Sequence, residues 1–172
     1  MPVPKSNFSS ALSQGVISVL TVSLLAMPPA TSAQPTVEID NNKIKLEVAS
    51  TPAQIQRGLM YRTHMPEDQG MVFIFHPPQQ VKFWMAHCFI PLDMLMVADG
   101  KIKRIFENVP PERNKPEKQC PTYPSISEEP ELVTEVVEVN GGYAKRHGVK
   151  VGDSVKFSFA DSSEKTPRDE HN

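Results

Sequence analysis

Residues 70–75 read Gly-Met-Val-Phe-Ile-Phe, apolar at every position after the glycine. A strand with one solvated face alternates apolar and polar side chains, so a run that is apolar on both faces suits the middle of a sheet. Upstream, Thr36–Asp40 and Lys43–Val48 alternate around Asn41-Asn42, which predicts a β-hairpin. Ser50-Thr51-Pro52 offers a cap followed by proline at the first helical position. The helix it predicts runs to about Met60, with Ile55 and Leu59 on one face. Downstream, His76-Pro77-Pro78 is expected to break the central strand, and Val81–Ala86 reads as the next one. Pro91 separates it from Leu92–Val97, and Asp99-Gly100 turns into Lys101–Glu107. Glu131–Val139 is a further strand, Gly142–His147 a short helix stopped by Gly148, and Ser154–Phe159 the last strand. These elements predict a mainly β, α+β domain: a small barrel-like or strongly curved antiparallel or mixed sheet with one or two short helices.

The 172 residues carry 18 Lys and Arg against 20 Asp and Glu, a net charge of −2. That mild balance, without basic blocks, gives no electrostatic case for nucleic acid or anionic lipid as a partner. Residues 1–33 read as a secretory signal: Lys5, the apolar run Val16–Met27, then small residues ending at Ala33. The run is well short of the roughly 20 residues that span a bilayer, and no second stretch in the mature chain approaches that length. The expected organisation is a leader (1–33), one domain (34–159) and a polar, disordered tail (160–172). Export to the periplasm or the extracellular space follows, with cleavage near Ala33. In an exported chain the two cysteines, Cys88 and Cys120, suggest a disulfide. Such a bridge would contribute roughly 3–4 kcal/mol in the chain-entropy model. It would also tether the proline-rich stretch holding Pro110, Pro111, Pro116, Pro121, Pro124 and Pro130.

Four blocks carry a resemblance: Arg57-Gly58-Leu59-Met60-Tyr61-Arg62; Gly70–Phe75; Phe83-Trp84-Met85 continuing through Ile90-Pro91-Leu92-Asp93-Met94; and Val137-Glu138-Val139-Asn140-Gly141-Gly142 continuing to Gly148 and Gly152-Asp153. In this order they resemble the family catalogued as domain of unknown function 192, over about residues 36–159. The resemblance implies a compact, mainly β fold, frequently exported in bacteria, and supplies no activity. Where the family usually has Lys-Asn-Thr after the Trp-Met pair, this chain has Ala86-His87-Cys88.

Asp93 and Glu138 each interrupt an apolar strand, and a carboxylate among apolar neighbours must be paired, hydrogen-bonded or turned to an open face. Facing one cleft, they would be candidate catalytic residues, a general acid and base for a hydrolase, or would bind a cationic group. Reached by Arg57 or Arg62, either would be a structural ion pair. Trp84 reads either as a binding platform beside Lys82 or as a core residue. Six methionines follow the leader: Met60, Met65, Met71, Met85, Met94 and Met96. Thioether and imidazole suit Cu(I), and Met85 and His87 would share a strand face, but alternating methionine is also ordinary core filling. Adjacent His87 and Cys88 point to opposite faces of a strand, which opposes nucleophilic catalysis by the thiol. Asn140-Gly141-Gly142 lacks the spacing of a phosphate-binding or dinucleotide-binding loop, so no cofactor is expected. The leading expectation is a non-catalytic envelope module that binds a small ligand or a protein through Arg57, Arg62, Trp84, Asp93 and Glu138. A hydrolase using Asp93 and Glu138 and a Met85/His87 copper(I) protein are the alternatives.

Overall fold

The computed structural model describes residues 33–125 and 132–159. The expected leader, apart from Ala33, and the expected tail lie outside the described residues. No helix among the described residues is long and apolar enough to cross a membrane. Strand β1 (Thr36–Ile39) turns through Asp40 and Asn41 into β2 (Asn42–Ala49), with Ile39 opposite Asn42. The hairpin is the expected one, displaced by a residue because Asp40 takes the left-handed position at φ 51°. Helix α1 (Pro52–Arg57) crosses over to β3 (Gln69–Gln79), which lies parallel to β2. Thr51 and Gln54 form a reciprocal capping box at its start. Gly58, at φ 43°, ends it earlier than the apolar spacing predicts.

Strand β3 runs past His76-Pro77-Pro78 instead of stopping there, but its regular pairing to the far strand lapses between Ile74 and Gln79. The prolines thus lie where β3 lacks a continuous partner, the place a sheet tolerates them. The strand expected over Val81–Ala86 shrinks to β4 (Lys82–Phe83), which pairs only with β7 (Tyr123–Pro124). Strands β5 (Leu92–Ala98) and β6 (Lys101–Val109) form the expected hairpin, and β8 (Val133–Asn140) inserts between β5 and β3. Helix α2 (Tyr143–His147) and β9 (Val155–Ser158) complete the chain.

The main sheet has seven strands in the order β6-β5-β8-β3-β2-β1-β9. Its two edges meet at one end, where Lys101 bridges Ser154 and the Ile102 and Val155 amides donate to Asp153 and Gly100. The sheet is therefore strongly curled into a half-barrel, the mainly β, α+β architecture that the sequence predicts. Curling separates two cores. The enclosed core draws on all seven strands, including Val37, Leu46, Val72, Leu95, Ile102, Val137 and Val155, and is plugged by Tyr143 and Ala144 of α2. The second core lies on the other face of β3, β5 and β8, built from Met71, Phe73, Phe75, Met94, Met96 and Val136. Leu59, Val81, Phe83, Met85 and Cys88 cover it, and the candidate site lies there.

Candidate functional site

A cavity of about 480 Å³ opens between the second core and the covering segments. Helix α1 and the residues after it supply Ile55, Arg57, Gly58, Leu59 and Met60. Strand β3 supplies Phe73 and Phe75, the covering segment Val81, Lys82, Phe83, Trp84 and Cys88, and β8 supplies Glu138. The Phe83 ring stands edge-on to Phe73 at 4.9 Å and to Phe75 at 6.4 Å, an aromatic arrangement that fixes the floor. Gly58 is required where helix meets floor, because a Cβ there would lie 3.2 Å from Phe73 Cζ on a backbone already at positive φ. Arg57 and Lys82 are exposed and stand at the mouth.

Glu138 is the buried carboxyl of this space, whose other polar side chains, Gln56, Arg57, Gln79, Gln80 and Lys82, are all exposed. It is only 4% exposed, and its cross-strand neighbours are Met71 on β3 and Met94 on β5, neither of which can hydrogen-bond it strongly. Its carboxyl has no hydrogen-bond or ion-pair partner among the described residues. No polar side-chain atom among them is both fully sealed and unpaired, so the carboxyl reaches the cavity it lines. Burial raises its pKa from 4.5 to about 8, which keeps most of it protonated at neutral pH. Burial, followed by the nearby Glu138 and Cys120, pushes the Cys88 thiol up to about 12. A thiol held protonated in that way is a poor nucleophile.

The residues grouped by sequence reasoning do not all meet. Arg57, Trp84 and Glu138 share the cavity. Asp93 is excluded by register: Glu138 pairs with Met94, so the preceding Asp93 faces the opposite side of the sheet. There Asp93 is fully buried and accepts three backbone N–H bonds. Its Oδ1 takes Asn108 N at 2.6 Å and Gly142 N at 2.7 Å, and its Oδ2 takes Ala144 N at 2.7 Å. The carboxylate therefore staples β6 and the start of α2 to β5, and the expected Asp93/Glu138 acid–base pair is not assembled. Arg62 is likewise elsewhere, bidentate on Glu47 at 2.6 and 2.9 Å. It lines a more polar hollow that touches the cavity only along Arg57, Gly58 and Met60.

The Met85/His87 strand face is not formed either. His87 adopts φ 55° in a turn, and its ring stacks on Tyr61 at 5.3 Å, while Met85 is sealed in the second core. Cys88 and Cys120 are free, buried thiols, and the expected bridge is not present. Cys120 instead points toward the Lys115 and Pro116 carbonyls.

Sequence reasoning missed the aromatic floor. Phe73 and Phe75 lie two residues apart on β3, so alternation places them on one face with Met71, but nothing local shows that this face is incompletely covered. Consecutive Phe83 and Trp84 both reach the cavity because the chain leaves strand geometry after Phe83.

A half-barrel sheet with an aromatic cavity on its second face defines the class of structure. The chain belongs to the family of domain of unknown function 192, described as an uncharacterized ACR, whose family model matches residues 35–157. A crystal structure from Sinorhizobium meliloti 1021, described as a proposed transcription regulator, is 35% identical, with a TM-score of 0.61 over 72% of this chain and 92% of that one. A protein of unknown function from Novosphingobium aromaticivorans DSM 12444 is 33% identical, also with a TM-score of 0.61, over 76% of this chain and 91% of that one. No curated protein matches this chain.

Proposed function

We propose that this protein is a non-catalytic binding module of the cell envelope that takes a small, mostly apolar ligand in the cavity between α1, β3, β4 and β8. One observation carries the reading: an aromatic-lined space of about 480 Å³ contains a buried carboxyl with no partner among the described residues. Pockets of that size with few polar groups suit small molecules, and an unpaired buried polar group is costly unless something else meets it. The hydrolase alternative loses its support once Asp93 is committed to three amides on the opposite face. The envelope location rests on the leader-like residues 1–33, with their apolar run and small residues before Ala33. Intact-mass measurement of protein from a periplasmic fraction checks this location, through loss of the leader.

Trp84 is the sole tryptophan and lines the cavity, so its emission reports occupancy without a label. Small aromatic compounds that bind should shift or quench Trp84 emission saturably. Ile55→Trp, which fills the space from α1, should abolish binding measured by calorimetry while the fold is retained. Unchanged binding in the filled variant would remove the cavity from consideration.

A further inference from the structure

Resting on that reading of the cavity, we infer that its ligand is a neutral apolar molecule bearing a hydrogen-bond-accepting oxygen, such as a ketone, quinone or ester, held by a hydrogen bond from the Glu138 carboxyl. Geometry comes first. Glu138 is more than nine-tenths buried, faces the cavity and is flanked on its sheet face by Met71 and Met94. No protein group among the described residues meets its carboxyl. The titratable and charged groups around the cavity are Cys88 on the covering segment, Lys82 on β4 and Arg57 at the end of α1. The facing stretches of β3 and β5 present Met71, Phe73, Phe75, Met94 and Met96, none of which titrates.

The charge pattern selects among ligand heads. A cationic amine would gain from an ionised Glu138 but must enter past Arg57 and Lys82, which have no ion-pair partner among the described residues to neutralise them. A carboxylate head would lie against a carboxyl in a desolvated space, where like charges are unfavourable once either proton leaves. A neutral oxygen meets neither obstacle and supplies the acceptor that a protonated carboxyl lacks. Burial keeps Glu138 protonated up to about pH 8, so the donor is present at neutral pH. Across that window the Cys88 thiol does not ionise, because its own value is about 12.

Three matched probes separate the possibilities: 2-acetylnaphthalene, 2-ethylnaphthalene and 2-(aminomethyl)naphthalene, titrated calorimetrically at about pH 6 and about pH 9.5, either side of the Glu138 value. Wild type should prefer the ketone over the hydrocarbon by about fivefold at the lower pH, the scale of one neutral hydrogen bond. At the higher pH the preference should vanish. Glu138→Gln, whose amide donates without ionising, should keep the preference at both values, and Glu138→Leu should lose it at both. Circular dichroism confirms that each variant is folded. At the lower pH, strongest binding by the amine, or equal binding of ketone and hydrocarbon, overturns the inference while leaving a binding cavity in place. Failure of all three probes to bind overturns the cavity reading itself, and the inference with it.

Discussion

Two carboxylates one residue apart in sheet register have opposite environments, one tied to the backbone and one open to a cavity. Asp93 is saturated by the Asn108, Gly142 and Ala144 amides; Glu138 has no partner among the described residues and faces the cavity. Asp93→Ala would orphan three buried or partly buried N–H groups. Because charge-assisted bonds are worth about 1.5–3 kcal/mol each and do not add fully, chemical denaturation should show a loss of roughly 3–5 kcal/mol. Ligand binding by the variant that remains folded should be unchanged. Glu138 acts on stability in the reverse sense. Its folded pKa lies above the unfolded value, so between pH 4.5 and about 8 the native state keeps a proton that the unfolded chain releases. Its contribution is most favourable below pH 4.5, is lost as pH rises through about 8, and is level beyond. The full span is roughly 4–5 kcal/mol at 1.36 kcal/mol per pKa unit, of which a relaxing structure realises a part. Glu138→Gln should therefore match wild type in melting temperature near pH 4 and exceed it near pH 9; equal melting temperatures across that range would show that the carboxyl is solvated. Sequence reasoning could single out both carboxylates, since each breaks an apolar strand. It could not separate them, because their faces depend on the register between β5 and β8, strands separated by the whole β6 hairpin and proline-rich segment.

Elements with local determinants were legible, whereas those defined by distant partners were not. The hairpin β1–β2, the β5–β6 hairpin through Asp99-Gly100 and the start of α1 all follow from turn or cap residues beside them. Thr51 shows how local this is: its side chain accepts from Gln54 N, and Thr51→Ala should lower stability by about 1 kcal/mol in denaturant titrations. The run Val81–Ala86 carried the alternation of a full strand but pairs with β7 only over Lys82–Phe83 and bridges Glu112 at Ala86, and the rest drapes over the second core. The opposite case is Gly70, whose need for glycine arises wholly from a distant strand. A Cβ there would lie 2.5 Å from the Glu138 carbonyl oxygen, so Gly70→Ala must push β3 away from β8. Overpacking of this kind costs about 1–3 kcal/mol, and the displacement should also disturb Glu138. The expected signature is a loss of stability together with weakened ketone-over-hydrocarbon preference. A destabilised variant with intact preference would mean that the strand adjusts without moving the carboxyl.

Across the whole molecule, the curl of the sheet divides the work between two cores with different means of retention. The enclosed core is bounded by all seven strands, and the contact between β6 and β9 removes part of the exposed edge that an open sheet would leave. The second core is covered by α1 and a chain segment with little secondary structure of its own. That cover is fixed by a few backbone bonds, among them Ser125 N to Val81 O, His87 N to Glu112 O, Glu112 N to Met85 O and Tyr61 N to His87 O. Segments with few ladder bonds open at lower free energy than the sheet they cover. Native-state hydrogen exchange should therefore show β3, β5 and β8 amides exchanging only by global unfolding, with His87, Glu112 and Ser125 exchanging earlier through smaller openings. Denaturant should accelerate this second group less steeply, because a local opening exposes less surface than unfolding the sheet. If the ligand seats against this cover, saturating 2-acetylnaphthalene should slow exchange at His87, Ser125 and the α1 amides. The Ile102 and Val155 amides, which join the sheet edges around the enclosed core, should respond only through global stability. Selective slowing at the β6–β9 junction would place the binding energy in the enclosed core and contradict the division of labour argued from the two clusters.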